Sequence, residues 1–228
     1  MKDSDVDFNF WPSFSDLMLS IVLVLVLILF LIAAVLAVGV DIEPIKNKQY
    51  NMVHALAEAY NVSPDTVGGD VVLSVSKRHT KDIVVRNELD QQLFTFSDHI
   101  LFPPDVATLS PAGRSVLHIL GSTLKKQLAS LKEIQIQGHA DTDPSTIFHS
   151  NLELAAARAI EVFKFFQDTI GVDPSICLMS ATSFGEYKPA ERDADDSTFN
   201  ASRLAELNVN SDLKARNRRI EILLFYRN

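Results

Sequence analysis

The stretch that decides the fold is IQIQGHADTDPSTIFHSNLELAAARA, residues 134–159. Its first four residues alternate between apolar and polar side chains, which is typical of a β-strand with one buried face. From residue 151 to 167, apolar side chains recur at the spacing of one helix face, namely Leu152, Ala155, Ala156, Ala159, Val162, Phe163 and Phe166. This stretch therefore predicts a strand and a helix, joined by a polar segment that contains Asp141.

Strand and helix patterns continue on both sides of this stretch. A helix is predicted over residues 111–128, with Ser110 as its N-cap and Pro111 in its first turn. A weaker helical pattern covers residues 45–60. Strand-like segments lie at residues 71–75, 83–85, 177–183 and 219–226, and residues 93–102 are predicted as a strand and a turn. Such alternation predicts an α+β domain, in which a mixed sheet has helices packed on one face.

A long apolar run precedes this domain. Between Leu17 and Val40 the one polar side chain is that of Ser20. A helix of about 20 apolar residues crosses a hydrocarbon core of roughly 30 Å. The run therefore predicts a single transmembrane helix over residues 12–40, behind a tail of residues 1–11.

A cleaved signal peptide is the alternative interpretation of this run, because Ala37 and Gly39 could mimic a cleavage site. However, signal peptides have only about 7–15 apolar residues after a basic start. Here the start carries three aspartates and one lysine, so an uncleaved anchor is favoured. The few basic residues that flank the run, Lys2 before it and Lys46 and Lys48 after it, do not favour a cytoplasmic N-terminus.

Composition excludes several classes of function. With 21 basic and 29 acidic residues the net charge is −8, which argues against nucleic-acid binding. Cys177 is the one cysteine, so an intramolecular disulfide is impossible. His139 has no partner residues at metal-ligand spacing and is interpreted as structural. No catalytic constellation is apparent, so neither an enzyme nor a cofactor is expected.

Four segments, in this order and spacing, resemble the OmpA-type peptidoglycan-binding domain: residues 138–141, 151–159, 184–189 and 217–222, with a weaker match at 101–109. The resemblance implies an OmpA-like domain of the βαβαβ type over residues 90–228. It departs from the family at Ala140, where a threonine is usual.

This resemblance also implies a ligand, the diaminopimelate of peptidoglycan, which presents an ammonium group and carboxylates together. Asp141 is expected to bind the ammonium, and Arg158 to bind a carboxylate through its two-pronged guanidinium. Asn151 and Leu154 share one helix face with Arg158 and complete the expected site together with Arg219. Whether Arg218 or Arg219 contacts the ligand stays open, as does a purely internal salt bridge between Asp141 and Arg158.

The beginning of the apolar run carries a second motif. Ser13, Asp16 and Ser20 fall at helical spacings of three and four residues and form a thin polar stripe. Residues 11–18 resemble the start of the ion-channel helix in stator B subunits (MotB). The resemblance implies that Asp16 carries the translocated ion and that Ser13 and Ser20 line the pore. The alternative is an interfacial aspartate that the helix dipole stabilises.

Together the two motifs resemble the peptidoglycan-anchored B subunit of a proton-driven stator. The resemblance implies a homodimer in the bacterial inner membrane, with a cytoplasmic N-terminus, a periplasmic linker or plug at residues 41–89, and a MotA-like multi-helix partner. A short acidic tail and a compact linker are most similar to ZorB of the Zorya antiphage defence system, whose partner is ZorA. A flagellar-type stator subunit and a non-conducting cell-wall tether are the alternatives.

Overall fold

The structure is a computed structural model that describes residues 11–75, 82–192 and 196–227. Apart from Trp11, the expected tail lies outside the described residues. The chain divides after Pro44 into two compact units. The first helix, α1 (Trp11–Tyr60), contributes residues to both units, and each unit is described by itself below.

The first unit contains the apolar part of α1. Residues 14–36 have a mean hydropathy of 3.5, and their side chains are exposed. At a rise of about 1.5 Å per residue these 23 residues extend about 35 Å, which is enough to cross a bilayer. Within the described part of the chain, this is the one helix long and apolar enough to do so.

The second unit is built on one seven-stranded sheet. In chain order its strands are β1 (Asp65–Val67), β2 (Asp70–Leu73), β3 (Ile83–Asn87), β4 (Gln91–Ser97), β5 (Leu131–His139), β6 (Leu178–Gly185) and β7 (Arg219–Tyr226). The spatial order is β1-β2-β3-β4-β7-β5-β6. Neighbouring strands are antiparallel, except that β5 and β6 are parallel. The sheet is therefore mixed, as expected.

Helices connect and cover these strands. They are α2 (Asp98–Leu101), α3 (Pro111–Lys126), α4 (Asn151–Lys164), α5 (Ala201–Glu206) and α6 (Ser211–Asn217), with a 3₁₀ turn at Leu128–Ser130 and a π-helical turn at Phe165–Ile170. The Ser110 hydroxyl accepts a hydrogen bond from the Gly113 N–H at 2.9 Å, so it caps α3 as expected. These elements confirm the α+β class.

One face of the sheet forms the hydrophobic core. Alternate residues of β5 and β7 point into it, as in Ile134 and Ile136 of the first strand and Ile220, Ile222 and Leu224 of the second. Buried apolar side chains of α3 and α4, such as Leu120 and Val162, cover this face and belong to the same buried cluster.

The last part of α1 belongs to this core, which differs from the expected linker or plug at residues 41–89. Met52 and Leu56 are buried in the same apolar cluster as the sheet. The Gln49 amide donates hydrogen bonds to the carbonyl groups of Glu88 and Gln91, at 2.8 and 2.9 Å. The compact unit therefore begins at Ile45, and the expected boundary at residue 90 between linker and OmpA-like domain stays a prediction.

The approach of α4 to β5 positions the candidate site. Gly138 lies directly beneath the helix, where a Cβ atom would stand 2.1 Å from the carbonyl oxygen of Ala155. Since no side chain fits in that space, glycine permits the helix to contact the strand backbone. The residues that follow β5 are thereby held close to those on α4.

Candidate functional site

A cavity of about 640 Å³ lies where β5 ends, α4 begins and the segment after β4 passes by. Four of the five expected ligand residues line it, namely Asp141, Asn151, Leu154 and Arg158. The structure therefore brings together side chains that come from a loop and from one helix face. Asp98, Asp105, Asp143 and Arg218 line the same cavity and complete its charged groups.

Asp141 is a buried carboxylate whose side chain is only 6% exposed. Its Oδ1 atom accepts a hydrogen bond from the Asp143 N–H at 3.1 Å. Its Oδ2 atom accepts a hydrogen bond from the guanidinium of Arg218. The cavity thus holds an anionic group that is already neutralised by a cation of the same chain.

Arg158 is held by several partners at once. Its Nε donates to the carbonyl of Val106 at 2.9 Å and its Nη2 to the carbonyl of Pro103 at 3.3 Å. Its Nη1 lies 3.0 Å from Oδ1 of Asp98, and the guanidinium stands over the Phe102 ring. The side chain is therefore fixed in orientation at the cavity wall.

The internal salt bridge between Asp141 and Arg158, left open by the sequence, does not form. Each of the two pairs with another charge, Asp141 with Arg218 and Arg158 with Asp98. The Asp98 N–H also donates to the carbonyl of Arg218 at 3.1 Å, which joins the two pairs. Burial raises the pKa of Asp98 above its ordinary value, although Arg158 and Arg218 oppose this effect.

Asn151 connects the end of β5 to the start of α4. Its amide nitrogen donates to the carbonyl of Asp141 at 3.0 Å, and its amide oxygen accepts from the Ser145 N–H at 3.2 Å. The helix is capped one residue earlier, by the Ser150 hydroxyl that accepts from the Glu153 N–H. Asn151 therefore fixes the loop that carries Asp141.

Asp105 holds the outer rim of the cavity. Its carboxylate accepts hydrogen bonds from the Ser145 hydroxyl and from both the N–H and the hydroxyl of Thr146, at 2.5, 2.8 and 2.6 Å. Bonds from Ser145 and Thr146 lower the pKa of this carboxyl to about 2. Asp105 also has a positive φ of 55°, a conformation that aspartate tolerates better than most residues.

Arg219 does not line this cavity, and its expected role in ligand binding stays a prediction. Its Nε donates to Oε1 of Glu221 at 2.8 Å, and it lines a different cavity of about 560 Å³. The adjacent Arg218 lines the cavity instead. Consecutive side chains of a strand point to opposite faces of the sheet. Only one of two consecutive arginines is therefore expected to face the site.

His139 is buried at the end of β5. Its ring stacks on Phe184, with 5.2 Å between centroids, and its Nε2 lies 3.1 Å from Oε2 of Glu221. Burial lowers the pKa of His139 below its ordinary value, against the opposing effect of Glu221. A structural role for this histidine agrees with its packing between an aromatic ring and a carboxylate.

The residues of the second motif lie on α1, in the other unit. Asp16 and Ser20 are exposed on the apolar helix, and the Ser20 hydroxyl donates to the carbonyl of Asp16 at 2.9 Å. A serine that bonds to its own helix has its hydroxyl proton satisfied. Ser13 lies in α1, but its side chain is outside the described part of the chain.

Comparison with known proteins agrees with this architecture. Residues 101–203 match the OmpA family. No curated protein matches the sequence. Among solved structures, a MotB-like protein from Desulfovibrio vulgaris is 20% identical with a TM-score of 0.59, and the match covers 82% of this chain and 98% of the other.

Two further structures share the fold. The periplasmic domain of Helicobacter pylori MotB is 19% identical, with a TM-score of 0.54 over 71% of this chain and 90% of the other. The cell wall anchor of the T6SS from Pseudomonas aeruginosa is 23% identical, with a TM-score of 0.50 over 64% and 90%. This chain therefore combines an N-terminal apolar helix with an OmpA-like domain, whose fold is that of MotB periplasmic domains.

Proposed function

We propose that this chain is a non-enzymatic, peptidoglycan-anchored membrane subunit of the MotB kind. The observation that carries the proposal is the meeting of Asp141 and Arg158 in one cavity, each with a separate counter-ion. A cavity that presents a carboxylate and a guanidinium on facing walls suits a zwitterionic ligand. The OmpA family match supports peptidoglycan as the source of that ligand.

The chemistry of diaminopimelate fits these groups. One end of its side chain carries an ammonium group and a carboxylate on the same carbon. Asp141 binds the ammonium, and the guanidinium of Arg158 binds the carboxylate, because charge-assisted hydrogen bonds are the stronger ones. Asp98 keeps Arg158 in place, and the apolar side chain of Leu154 contacts the methylene chain of the ligand.

A binding experiment with isolated cell-wall sacculi tests this proposal. The full chain in detergent is mixed with sacculi and the bound fraction is measured after sedimentation. Asp141→Asn is expected to weaken binding at least tenfold, since a hydrogen bond to a charged group contributes about 1.5–3 kcal/mol. Arg158→Lys keeps the charge but loses the two-pronged geometry, and is expected to weaken binding as well.

Asp143→Asn is the matched control. This aspartate lines the same cavity, but its side chain is 61% exposed and pairs with Lys214 at the rim. Its substitution is expected to change binding less than twofold. If Asp141→Asn also changes binding less than twofold, the cavity is not the wall-binding site.

We further propose that α1 crosses the inner membrane and that Asp16 carries an ion. Asp16 is the one ionisable residue between Phe14 and Leu36. A charged group within a membrane segment is costly and usually marks an ion path. Since the Ser20 hydroxyl bonds to the helix backbone, the Asp16 carboxylate is left to a partner subunit or to water.

In this proposal two copies of the chain associate with a MotA-like multi-helix subunit, and the wall anchor is periplasmic. Protons that pass Asp16 release about 2.3 kcal/mol per charge for each 100 mV, and the wall-bound domains provide a fixed reference for rotation. The acidic start of the chain, with aspartates at positions 3, 5 and 7, supports a Zorya-type system with ZorA as the partner.

Ion flux separates a stator from a passive tether. Cells that express the chain with its multi-helix partner are given an external acid step, and cytoplasmic pH is followed. The wild type is expected to acidify faster than Asp16→Asn. Equal rates for the wild type and Asp16→Asn would favour the tether. Phage plating and swimming of the same strains distinguish defence from motility.

A further inference from the structure

Arg218 and Asp141 form an ion pair whose two members differ strongly in exposure. The Arg218 side chain is 39% exposed, whereas that of Asp141 is 6% exposed. The cation therefore lies at the mouth of the cavity and covers an anion that lies within it. A ligand that approaches Asp141 from solvent meets Arg218 first.

The two arginines of the cavity are held in different ways. Arg158 is 3% exposed and is fixed by Asp98 and by two backbone carbonyls. The Arg218 guanidinium has one hydrogen-bond partner among the described residues, the carboxylate of Asp141. Only one contact has to break for Arg218 to move, whereas Arg158 would lose several.

Both oxygens of Asp141 are already engaged, Oδ1 by the Asp143 N–H and Oδ2 by Arg218. The Asp143 N–H belongs to the backbone of the same loop and stays in place. Because Arg218 covers the buried carboxylate on its solvent side, an ammonium group that enters from solvent competes with the Arg218 guanidinium for Asp141. The internal cation occupies the ammonium subsite of the cavity.

We infer that Arg218 is an exchangeable occupant of this subsite and determines the ligand specificity of the cavity. When the ammonium of a ligand reaches Asp141, Arg218 leaves it and joins Arg158 at the carboxylate on the same ligand carbon. The exchange replaces one ion pair with two only if the ligand carries both charges. This inference rests on the proposed wall-binding function and assigns a specificity role within that site.

Two classes of ligand are separated by this exchange. A simple amine displaces Arg218 from Asp141 and offers it nothing in return, so its binding opposes the internal ion pair. An ammonium and a carboxylate on one carbon replace that pair with two new ones. Arg218 therefore selects diaminopimelate over lysine, which lacks the second carboxylate.

A matched pair of muropeptides tests the inference. They are disaccharide tripeptides that differ only in the third residue, which is meso-diaminopimelate or lysine. Binding to the full chain in detergent is measured by calorimetry for the wild type and for Arg218→Gln. The wild type is expected to prefer the diaminopimelate form at least tenfold. In Arg218→Gln that preference is expected to fall about tenfold, because the lysine form binds more tightly and the diaminopimelate form more weakly.

Two further variants exclude indirect effects. Arg218→Lys keeps a cation at the subsite and is expected to retain most of the preference. Arg216→Gln removes an exposed arginine two residues away that pairs with Glu191, and it is expected to leave both affinities unchanged. Thermal unfolding of each variant checks that the domain remains folded.

The outcomes separate this inference from the proposal beneath it. If Arg218→Gln weakens both muropeptides equally, or changes neither, Arg218 is not an exchanging residue although the cavity still binds the wall. If the wild type binds neither muropeptide, the proposed wall-binding function fails and this inference fails with it.

Discussion

Arg158 and Asp98 form a buried ion pair, with 3.0 Å between Nη1 and Oδ1 and side chains that are 3% and 10% exposed. The pair joins α4 to the start of α2, two elements that are far apart in sequence. Because removal of one partner leaves the other charge uncompensated in the interior, such pairs are costly to break. Asp98 is therefore as important to the position of Arg158 as the helix that carries it.

The first prediction concerns Asp98→Asn. The substitution is expected to lower the free energy of unfolding by about 3 kcal/mol, because it leaves the Arg158 guanidinium buried without a counter-ion. Chemical unfolding of the full chain in detergent, followed by circular dichroism, measures the change. The double variant Asp98→Leu with Arg158→Met is expected to recover most of the stability but to bind sacculi weakly, because it lacks the Arg158 guanidinium.

This double variant distinguishes the charge effect from loss of packing. If it is as unstable as Asp98→Asn alone, the shape of the side chains and not the uncompensated charge determines stability. If Asp98→Asn unfolds within about 0.5 kcal/mol of the wild type, which is the range of ordinary surface substitutions, the pair contributes little.

The second prediction concerns Gly138→Ala. The new methyl group would lie 2.1 Å from the Ala155 carbonyl oxygen, so α4 must move away from β5. Overpacking of this kind costs about 1–3 kcal/mol, and the movement also separates Asp141 from Arg158. We expect a lower unfolding midpoint together with weaker sacculus binding.

Gly121→Ala is the matched control for this prediction. There the added Cβ meets the side chain of Ile170 at 2.7 Å, and a side chain can move more easily than backbone. It is expected to be less destabilising and to leave sacculus binding unchanged. Equal losses of binding in the two variants would mean that the contact between α4 and β5 does not position the site.

The third prediction concerns the rim that Asp105 holds. Asp105→Asn removes the negative charge that accepts hydrogen bonds from Ser145 and Thr146. Amide hydrogen exchange of residues 143–148 is expected to become faster, and sacculus binding is expected to weaken three- to tenfold. Asp173→Asn provides the comparison, because Asp173 supports a similar exposed turn at Ser175 outside the cavity. Unchanged exchange at 143–148 would contradict the role of Asp105.

Local pattern predicts most of the strands and helices. Ser110 and Pro111 mark the start of α3 through capping chemistry, and the last strand is predicted at the bounds that β7 has, Arg219–Tyr226. The packing of residues 45–60 against the sheet is different, because the helical pattern there is weak. This segment is buried through contacts with residues distant in sequence, such as Glu88 and Gln91. A local hydrophobic pattern does not predict such contacts.

The residues of the candidate site also fall into two groups, those that the sequence predicts and those that it does not. Asp141, Asn151 and Arg158 could be predicted because one strand, one loop and one helix bring them together. Asp98 and Arg218 come from the ends of other elements, and their contribution depends on the register of β4 with β7. Because that register pairs Ser97 with Arg219, the adjacent residues Asp98 and Arg218 both line the cavity. The sequence alone does not specify this register.

The last prediction concerns pH and His139, which packs against Phe184, Glu221, Arg219 and Lys188 on the sheet. Burial lowers its pKa in the folded chain, whereas the unfolded chain binds a proton near the ordinary value of about 6.5. The unfolded state therefore takes up the proton first as pH falls, and the folded state loses stability below that value.

Between pH 7.5 and 5.5 this loss is expected to reach at most about 1.4 kcal/mol, since pH 5.5 is one unit below the ordinary value. His139→Phe keeps an aromatic ring against Phe184 and removes the titrating group, so its stability is expected to change less over the same range. His118→Gln, at an exposed position on α3, is expected to keep the pH dependence of the wild type. Unfolding midpoints at the two pH values measure the difference. If the wild type and His139→Phe lose equal stability on acidification, groups other than His139 determine the pH dependence.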